Sequence, residues 1–463
     1  MHIFPPQVCI DDDAGFTSDN DIFNRKPFAN QLTNLIRSAD DQLVIGLDAP
    51  WGEGKTTFVK QWRCLLRKEY NIDSIYLDSF SSDYYSDPLV ALSSSIYDFI
   101  KYKISDGDDK ERWESRKKIL LKNCKTWGKA ILRAGIKTGV RAITAGAVSC
   151  CDVELIKESI EGAAGEIEGK VVEIFEEENM YNMAIEKFRA DLTEFAANIS
   201  RAEEGKRTPL IIFIDELDRC RPDYALDMIE KIKHIFSVPG LVFVLVYYGS
   251  QIEQQIQCRY GLNIDAHGYL AKFINLRVIL PKNIECDAFN LADNDVFKYT
   301  QRIIKNMKLT SEVNDVFERD DIQKIFSIHA SMSQFSLRDV ERIMTYIVIF
   351  YSLLQNGNYS ESTIVIILAM VRHLSPKLYS SIAIKEAKWA DIEHVIFPRQ
   401  VISQHASIQN IQERIAKMWK FFLNEEDNEY TKYFNGISFR YNMDRHEVIP
   451  YHVRKMSQVE LPA

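Results

Sequence analysis

Residues 43–47, Leu-Val-Ile-Gly-Leu, run directly into Asp48-Ala49-Pro50-Trp51-Gly52-Glu53-Gly54-Lys55-Thr56. An apolar run that breaks into a glycine-rich turn and then a helix-forming segment leaves few folds open. The strand needs cover on both faces, and the helix that follows must fold back to provide part of it. A turn of this kind aims backbone N–H groups at one spot, where the helix dipole adds partial positive charge. The pattern therefore predicts a phosphate cradle. Gly52 and Gly54 allow close backbone approach, Lys55 can reach the β and γ phosphates of a nucleotide, and the Thr56 hydroxyl suits Mg²⁺. Ala49 stands where the strict form of this loop has glycine, a position alanine can hold only at negative φ.

The rest of the first 280 residues repeats the strand–helix alternation. Residues 19–38 read as a turn and then a helix with Phe28, Leu32, Leu35 and Ile36 on its apolar face. Further strands are expected at about 43–48, 74–78, 211–215, 241–247 and 273–280. Helices are expected at 56–69, from Pro88, from about Pro222 to Phe236, and near 251–260. Continuously apolar strands spaced by helices imply a parallel sheet covered on both faces. After Pro281 the pattern is helical, most clearly over 320–330, 337–354 and 362–374, while the chain beyond about 425 is polar, rich in Tyr and without a clear period. The expected plan is a segment before the sheet (1–40), the first part of the α/β domain (41–104), a helical insert (105–205) and the second part of the sheet domain (206–283). A helical lid (284–375) and a C-terminal helical region with a tail (376–463) follow.

Leu210 to Cys220, LIIFIDELDRC, is a second chemical signal. An acid at the end of a strand beside a phosphate loop can hold the metal shell, and the next carboxylate can polarise a water. Asp215 fits the first role and Glu216 the second; acids at a strand end can also simply cap a helix. Within the insert, Lys129, Arg133, Lys137 and Arg141 recur every four residues, ahead of a glutamate-rich half. Such a stripe can lie on an anionic membrane surface, contact nucleic-acid phosphates, or pair with the acidic half as a helical hairpin. Charge complementarity favours the hairpin. The formal net charge of −9 does not favour nucleic-acid binding by the surface as a whole. The N-terminus has no secretory pattern, no run of 18 uncharged apolar residues occurs, and the eight cysteines form no CxxC pair, so a cytoplasmic location is expected. HExxH and Gly-x-Ser-x-Gly are absent.

Ala49-Pro50-Trp51-Gly52-Glu53-Gly54-Lys55-Thr56 and Asp215-Glu216-Leu217-Asp218-Arg219-Cys220 together resemble the paired motifs of the KAP family of P-loop NTPases. Weaker likenesses fall in the family's order: Asp21-Ile22-Phe23-Asn24-Arg25, Asp78-Ser79-Phe80, Tyr269-Leu270-Ala271-Lys272 and Leu337-Arg338-Asp339-Val340-Glu341-Arg342. The resemblance spans roughly residues 19–350. It implies an α/β P-loop NTPase fold (ASCE, RecA/AAA-like), a parallel sheet with a helical insert and a C-terminal all-helical domain. It further implies a Mg-dependent ATPase acting as a conformational switch, with ATP and Mg²⁺ as cofactors. Glu216, Lys55 and Arg338 would be catalytic. Trp51, Gly52, Glu53, Gly54, Lys55, Thr56, Thr57, Asp21 and Arg25 would bind nucleotide, and Thr56 and Asp215 the metal. Arg338 would reach the γ-phosphate from the lid, with Arg342 one turn later. Arg219 is open between an arginine finger across a subunit boundary and an anchor for its own loop through Asp218 or Asp223. Where the family has an acid after its fourth strand, this chain reads Tyr247-Tyr248-Gly249-Ser250, leaving Tyr248 or Ser250 as the candidate sensor. Many relatives carry membrane helices in the interval of the insert. Here four basic residues, at about 2.5–3.5 kcal/mol each at a bilayer centre, argue against a span, though not against peripheral membrane contact. The resemblance also implies a homo-oligomer or a partner protein, and a place in bacterial defence against phages or plasmids. The rival readings are a non-hydrolysing nucleotide-dependent scaffold and a DNA-stimulated motor.

Overall fold

The computed structural model describes residues 14–105, 206–283, 294–308, 320–354, 361–397, 406–425 and 443–458, apart from a few short breaks, together with scattered positions between 114 and 203 and at 431–432. The basic stripe at 129–141 and nearly all of the 105–205 insert lie outside the described residues. The α/β half runs α1 (Lys26–Ser38), β1 (Leu43–Asp48), α2 (Lys55–Glu69), β2 (Ser74–Asp78), α3 (Pro88–Ser105), β3 (Leu210–Asp215), α4 (Pro222–Ile235), β4 (Leu241–Tyr247), α5 (Gly249–Tyr260), α6 (Ala266–Leu270) and β5 (Leu276–Ile279). The five strands are all parallel and lie in the order β2-β3-β4-β1-β5. β4 is thus paired on one side with β1, Leu43 opposite Val242, and on the other with β3, Leu210 opposite Leu241.

Alternate residues of each central strand feed two separate cores. Ile45, Leu47, Phe213, Val244 and Val246 pack with Phe58 and Trp62 of α2 on one face. Val44, Ile212, Ile214, Phe243 and Leu245 pack with Leu92, Leu226 and Ile252 on the other. Helices on both faces are what a fully apolar parallel sheet requires. The indole N–H of Trp62 donates to the Thr33 hydroxyl at 2.9 Å, so α1 is pinned to α2 beneath the sheet.

The strand expected over 273–280 is shorter, Leu276–Ile279. Residues 273 and 274 complete a turn after α6, with both amides donating to the Leu270 carbonyl. Pairing with β1 begins only at Asn275, whose amide and side chain bond Val44. The apolar run there serves the turn first and the strand second.

The described residues that follow form α7 (Asp295–Met307), α8 (Asp320–Met332), α9 (Leu337–Ser352), α10 (Ser362–Leu374), α11 (Pro376–Ala383), α12 (Trp389–Ile396), α13 (Ala406–Phe422) and α14 (Arg445–Met456). Helix α10 is buried continuously from Ile364 to Val371, as a helix apolar all round must be, and α8, α9, α11, α12 and α14 pack around it. One apolar cluster runs from Val296 to Met456, so the expected division at 375/376 falls inside continuous packing.

His329 of α8 is fully buried against Phe397, with neither ring nitrogen hydrogen-bonded. Burial pushes its imidazole down to about 4. Protons therefore bind the unfolded chain first. The helical half keeps full stability above pH 6.5 and loses it as pH falls from 6.5 towards 4, by on the order of 3 kcal/mol from this group. Thermal melts across that range should show a shallower acid loss for His329→Leu than for the wild type; equal slopes would exclude His329 as a source.

Candidate functional site

The turn after β1 takes positive φ at Gly52 (83°) and Gly54 (79°), whereas Ala49 does not. That is why alanine is accepted at position 49. A side chain at Gly52 would place Cβ 2.7 Å from Arg338 Cβ and 3.0 Å from Ser336 Oγ. Glycine here therefore lets α9 close directly onto the loop. Lys55, the first residue of α2, turns its ammonium back to the carbonyls of Ala49 (2.6 Å) and Pro50 (3.2 Å). Burial lowers its pKa, against the attraction of Asp218, Asp215 and Asp48.

Two strands over, with β4 between, Asp215 ends β3 as one of the most buried acids among the described residues. Burial raises its pKa, opposed by hydrogen bonds from the Thr56 hydroxyl, the Glu216 amide and the Tyr76 hydroxyl. The Glu216 amide stands at 2.8 Å and Tyr76 at 3.0 Å. Glu216 follows with a left-handed backbone, φ 57°, a conformation costly for a residue with a Cβ and held here by its surroundings. Burial raises its pKa, and Arg219 opposes that. Asp218 accepts from the Trp51 indole, so the turn after β3 is tied to the turn after β1.

These groups open into a cleft of about 460 Å³ whose other wall comes from the helical half, well within the size range of small-molecule sites. Trp51, Gly52, Gly54, Lys55, Thr56, Thr57, Asp215 and Glu216 line it, as do Asp21, Arg25 and Arg338. A capping box between Ser336 and Asp339 starts α9. The Asp339 carboxylate also meets His373 Nε2 at 2.7 Å; although burial raises its pKa, bonds from His373 and Ser336 bring it down to about 2. Arg338, between these anchors, has no hydrogen-bond or ion-pair partner among the described residues.

Several expected site residues stand differently from their nearest neighbours in sequence. The Asp21 carboxylate accepts the amides of Arg25 (2.6 Å) and Lys26 (2.9 Å), so it organises the start of α1 at the cleft edge. Buried Arg25 donates to the carbonyls of Glu53 and Pro281, both at 3.1 Å, and bridges the loop to the entry of the helical half. Burial lowers its pKa to about 10, against the attraction of Asp295, Glu53 and Asp21. Glu53 points away from the cleft to Lys282 at 2.8 Å, and Lys282 also donates to the Phe335 carbonyl. Arg219 pairs with neither Asp218 nor Asp223, because Asp218 is taken by Trp51 and Asp223 lies beside Arg259; its partner is Glu216, at 2.9 Å. Tyr248 packs edge-on against Trp51 at 5.6 Å, and neither Tyr248 nor Ser250 lines the cleft.

Sequence reading missed Tyr76, Lys282, Arg302 and the pair Asp48–Arg277. Tyr76 and Arg277 are polar tips on otherwise apolar strands, a signal open to inspection. Lys282 and Arg302 carry no local signal, since only the packing of α7 and α9 on the loop brings them in. The donor set fits a magnesium nucleotide: a hydroxyl and a carboxylate for a hard cation, and loop amides with a lysine for phosphates. No group of three or more His, Cys, Asp or Glu arranged to hold a metal by itself occurs among the described residues. None of the described helices is long and apolar enough to cross a membrane.

The chain is 29% identical over 154 residues to an uncharacterised protein of Methanocaldococcus jannaschii, a match covering 32% of this chain and 77% of the relative. Structures of the Aeropyrum pernix ORC2 protein, in its ADPNP–ADP complexes and in its ADP form, align over 97% and 94% of both chains at 11% and 10% identity, with TM-scores of 0.36 and 0.33. Residues 25–354 match the KAP family P-loop domain, more than half of the chain, and the protein belongs to that family of P-loop NTPases.

Proposed function

We propose that the cleft binds ATP with Mg²⁺ and hydrolyses it, and that the exchange of nucleotide repositions the helical half as a switch. The observation that carries this reading is the meeting of Thr56 with Asp215, two residues 159 positions apart, at the floor of a cleft whose opposite wall presents an unpartnered arginine. Bound magnesium would supply charge neutralisation at the phosphates. The loop amides and Lys55 hold the phosphate chain, Thr56 and Asp215 hold the metal, and Glu216 accepts a proton from an attacking water. Arg338, near the Glu341 charge but without a hydrogen bond or ion pair among the described residues, takes up one when a γ-phosphate is present, drawing α9 towards the loop. ATP in preference to GTP, and a homo-oligomer or protein partner that reads the lid, follow from the family resemblance. So does a role in defence against phages or plasmids.

Lys55→Ala should weaken nucleotide binding by about 10- to 100-fold and remove phosphate release. Glu216→Gln should keep binding and lose turnover by about 10²- to 10⁴-fold. A wild type that binds nucleotide but releases no phosphate would instead make the protein a nucleotide-dependent scaffold. Turnover raised by DNA, and falling steeply with salt, would make it a motor.

In hydrogen-exchange measurements, a non-hydrolysable ATP analogue should protect the first turn of α9 in the wild type, and ADP should not. Arg338→Ala should lose that protection while retaining ADP affinity. Unchanged protection in Arg338→Ala would remove the lid arginine from the switch.

A further inference from the structure

The one ion pair inside the cleft that ties up a proposed catalytic group joins Glu216 Oε1 to Arg219 Nη1 at 2.9 Å. Both side chains border the space beside Lys55 and Asp215. The backbone beneath them is fixed. The Glu216 amide donates to Asp215, its carbonyl receives the Arg219 amide and the Cys220 thiol, and the adjoining Asp218 is held by Trp51 and, through its carbonyl, by Gln255. What is left free to change is the side-chain pair. The Arg219 side chain is 38% exposed and its glutamate partner 20%, so the guanidinium can turn without breaking packing. It lines the same cleft as Lys55, close enough for the two positive charges to repel.

We propose that Arg219 is an exchangeable cation, paired with Glu216 while the outer phosphate position is empty and transferred to γ-phosphate oxygens of the same subunit's nucleotide when it is filled. A guanidinium binds phosphate in the same bidentate fashion as carboxylate, and a triphosphate with its extra charge competes well against one carboxylate. Transfer of the arginine releases Glu216 to face the water it must polarise. The carboxylate is thus held idle with no nucleotide or with ADP, and becomes available only when there is a bond to cleave. This inference rests on the reading of the cleft as an ATP site, and it adds a positioning role for a residue that the loop chemistry alone does not require.

The test compares equilibrium binding of a non-hydrolysable ATP analogue and of ADP, in magnesium, for the full-length wild type, Arg219→Ala, Arg219→Lys and Glu216→Gln. Exchange predicts that Arg219→Ala keeps ADP affinity within about twofold and loses about tenfold in affinity for the analogue, with Arg219→Lys between. Removing the competing carboxylate in Glu216→Gln should tighten the analogue more than ADP, and the tightening should vanish in Glu216→Gln/Arg219→Ala. A purely structural arginine would weaken both nucleotides alike in Arg219→Ala, and an unchanged ratio of the two affinities in that variant overturns the proposal. Restored phosphate release on mixing Arg219→Ala with Lys55→Ala would overturn it in favour of an arginine acting between subunits. A wild type that binds neither nucleotide would overturn the ATP-site reading itself, and the exchange with it; a wild type that binds both while the variant ratios stay fixed overturns the exchange alone.

Discussion

Placement of β4 between β1 and β3 is the constraint from which the cleft follows. Six residues of β1 and five of β3 pair in parallel with β4, so the turns after β1 and β3 open at one edge of the sheet, a strand's width apart. At that spacing Thr56 at the start of α2 meets Asp215 at the end of β3. A carboxylate as buried as Asp215 is costly unless its lone pairs are filled. Tyr76 from β2, the Glu216 amide and the Thr56 hydroxyl fill them from three segments. Loss of any one leaves a charge short of partners, so the acid is held as stiffly as the sheet that carries it.

The same economy governs the join between the two halves. Arg25 grips the loop carbonyl of Glu53 and the carbonyl of Pro281 with one guanidinium. Lys282, the next residue, takes the Glu53 carboxylate and the carbonyl of Phe335 just ahead of α9. Asn283 and Asp295 exchange backbone and side-chain bonds at the start of α7. Three successive residues of the linker are therefore bonded, Pro281 to Arg25, Lys282 to the loop and to Phe335, and Asn283 to the start of α7. Through Lys282 the Glu53 side chain of the loop and the Phe335 carbonyl just ahead of α9 share one ammonium, so loop and helical half are joined by direct charged contacts.

Much of this was legible from residue order, and the reasons differ by element. The three central strands announce themselves because strands buried on both faces must be apolar at nearly every position, and the two turn sequences stand out through their glycines and paired acids. Strand β5 was read too long: Phe273 and Ile274 are apolar for the sake of the turn after α6, and hydrophobicity alone does not separate the two uses. The partner of Arg219 differs from the expected ones because Asp218, its immediate neighbour in sequence, is taken by Trp51, and Asp223 lies beside Arg259. The left-handed backbone at Glu216, invisible in a list of residues, is what folds that side chain back within reach. Lys282 and Arg302 were out of reach for a simpler reason, since their importance exists only once α7 and α9 are laid against the loop.

The absence of an acid after β4 then finds a physical account. A Cβ added at Gly249 would stand 2.7 Å from the Asp48 carboxylate, whose other oxygen accepts the Gly249 amide at 2.7 Å. Arg277 of β5 closes on the same carboxylate from the far side. The chain leaving β4 is pulled towards β1 and β5, and Tyr248 is left to pack on Trp51, so this turn supplies no polar group to the cleft. With Asp48 engaged behind the loop, the cations that line the outer part of the cleft come from elsewhere: Arg338 from the helical half and Arg219 from the turn after β3. Both are cations, one without a partner and one paired to the very acid it would need to release. Under the proposed function, triphosphate would be told from diphosphate by these two arginines, which answer to added negative charge at the mouth of the cleft.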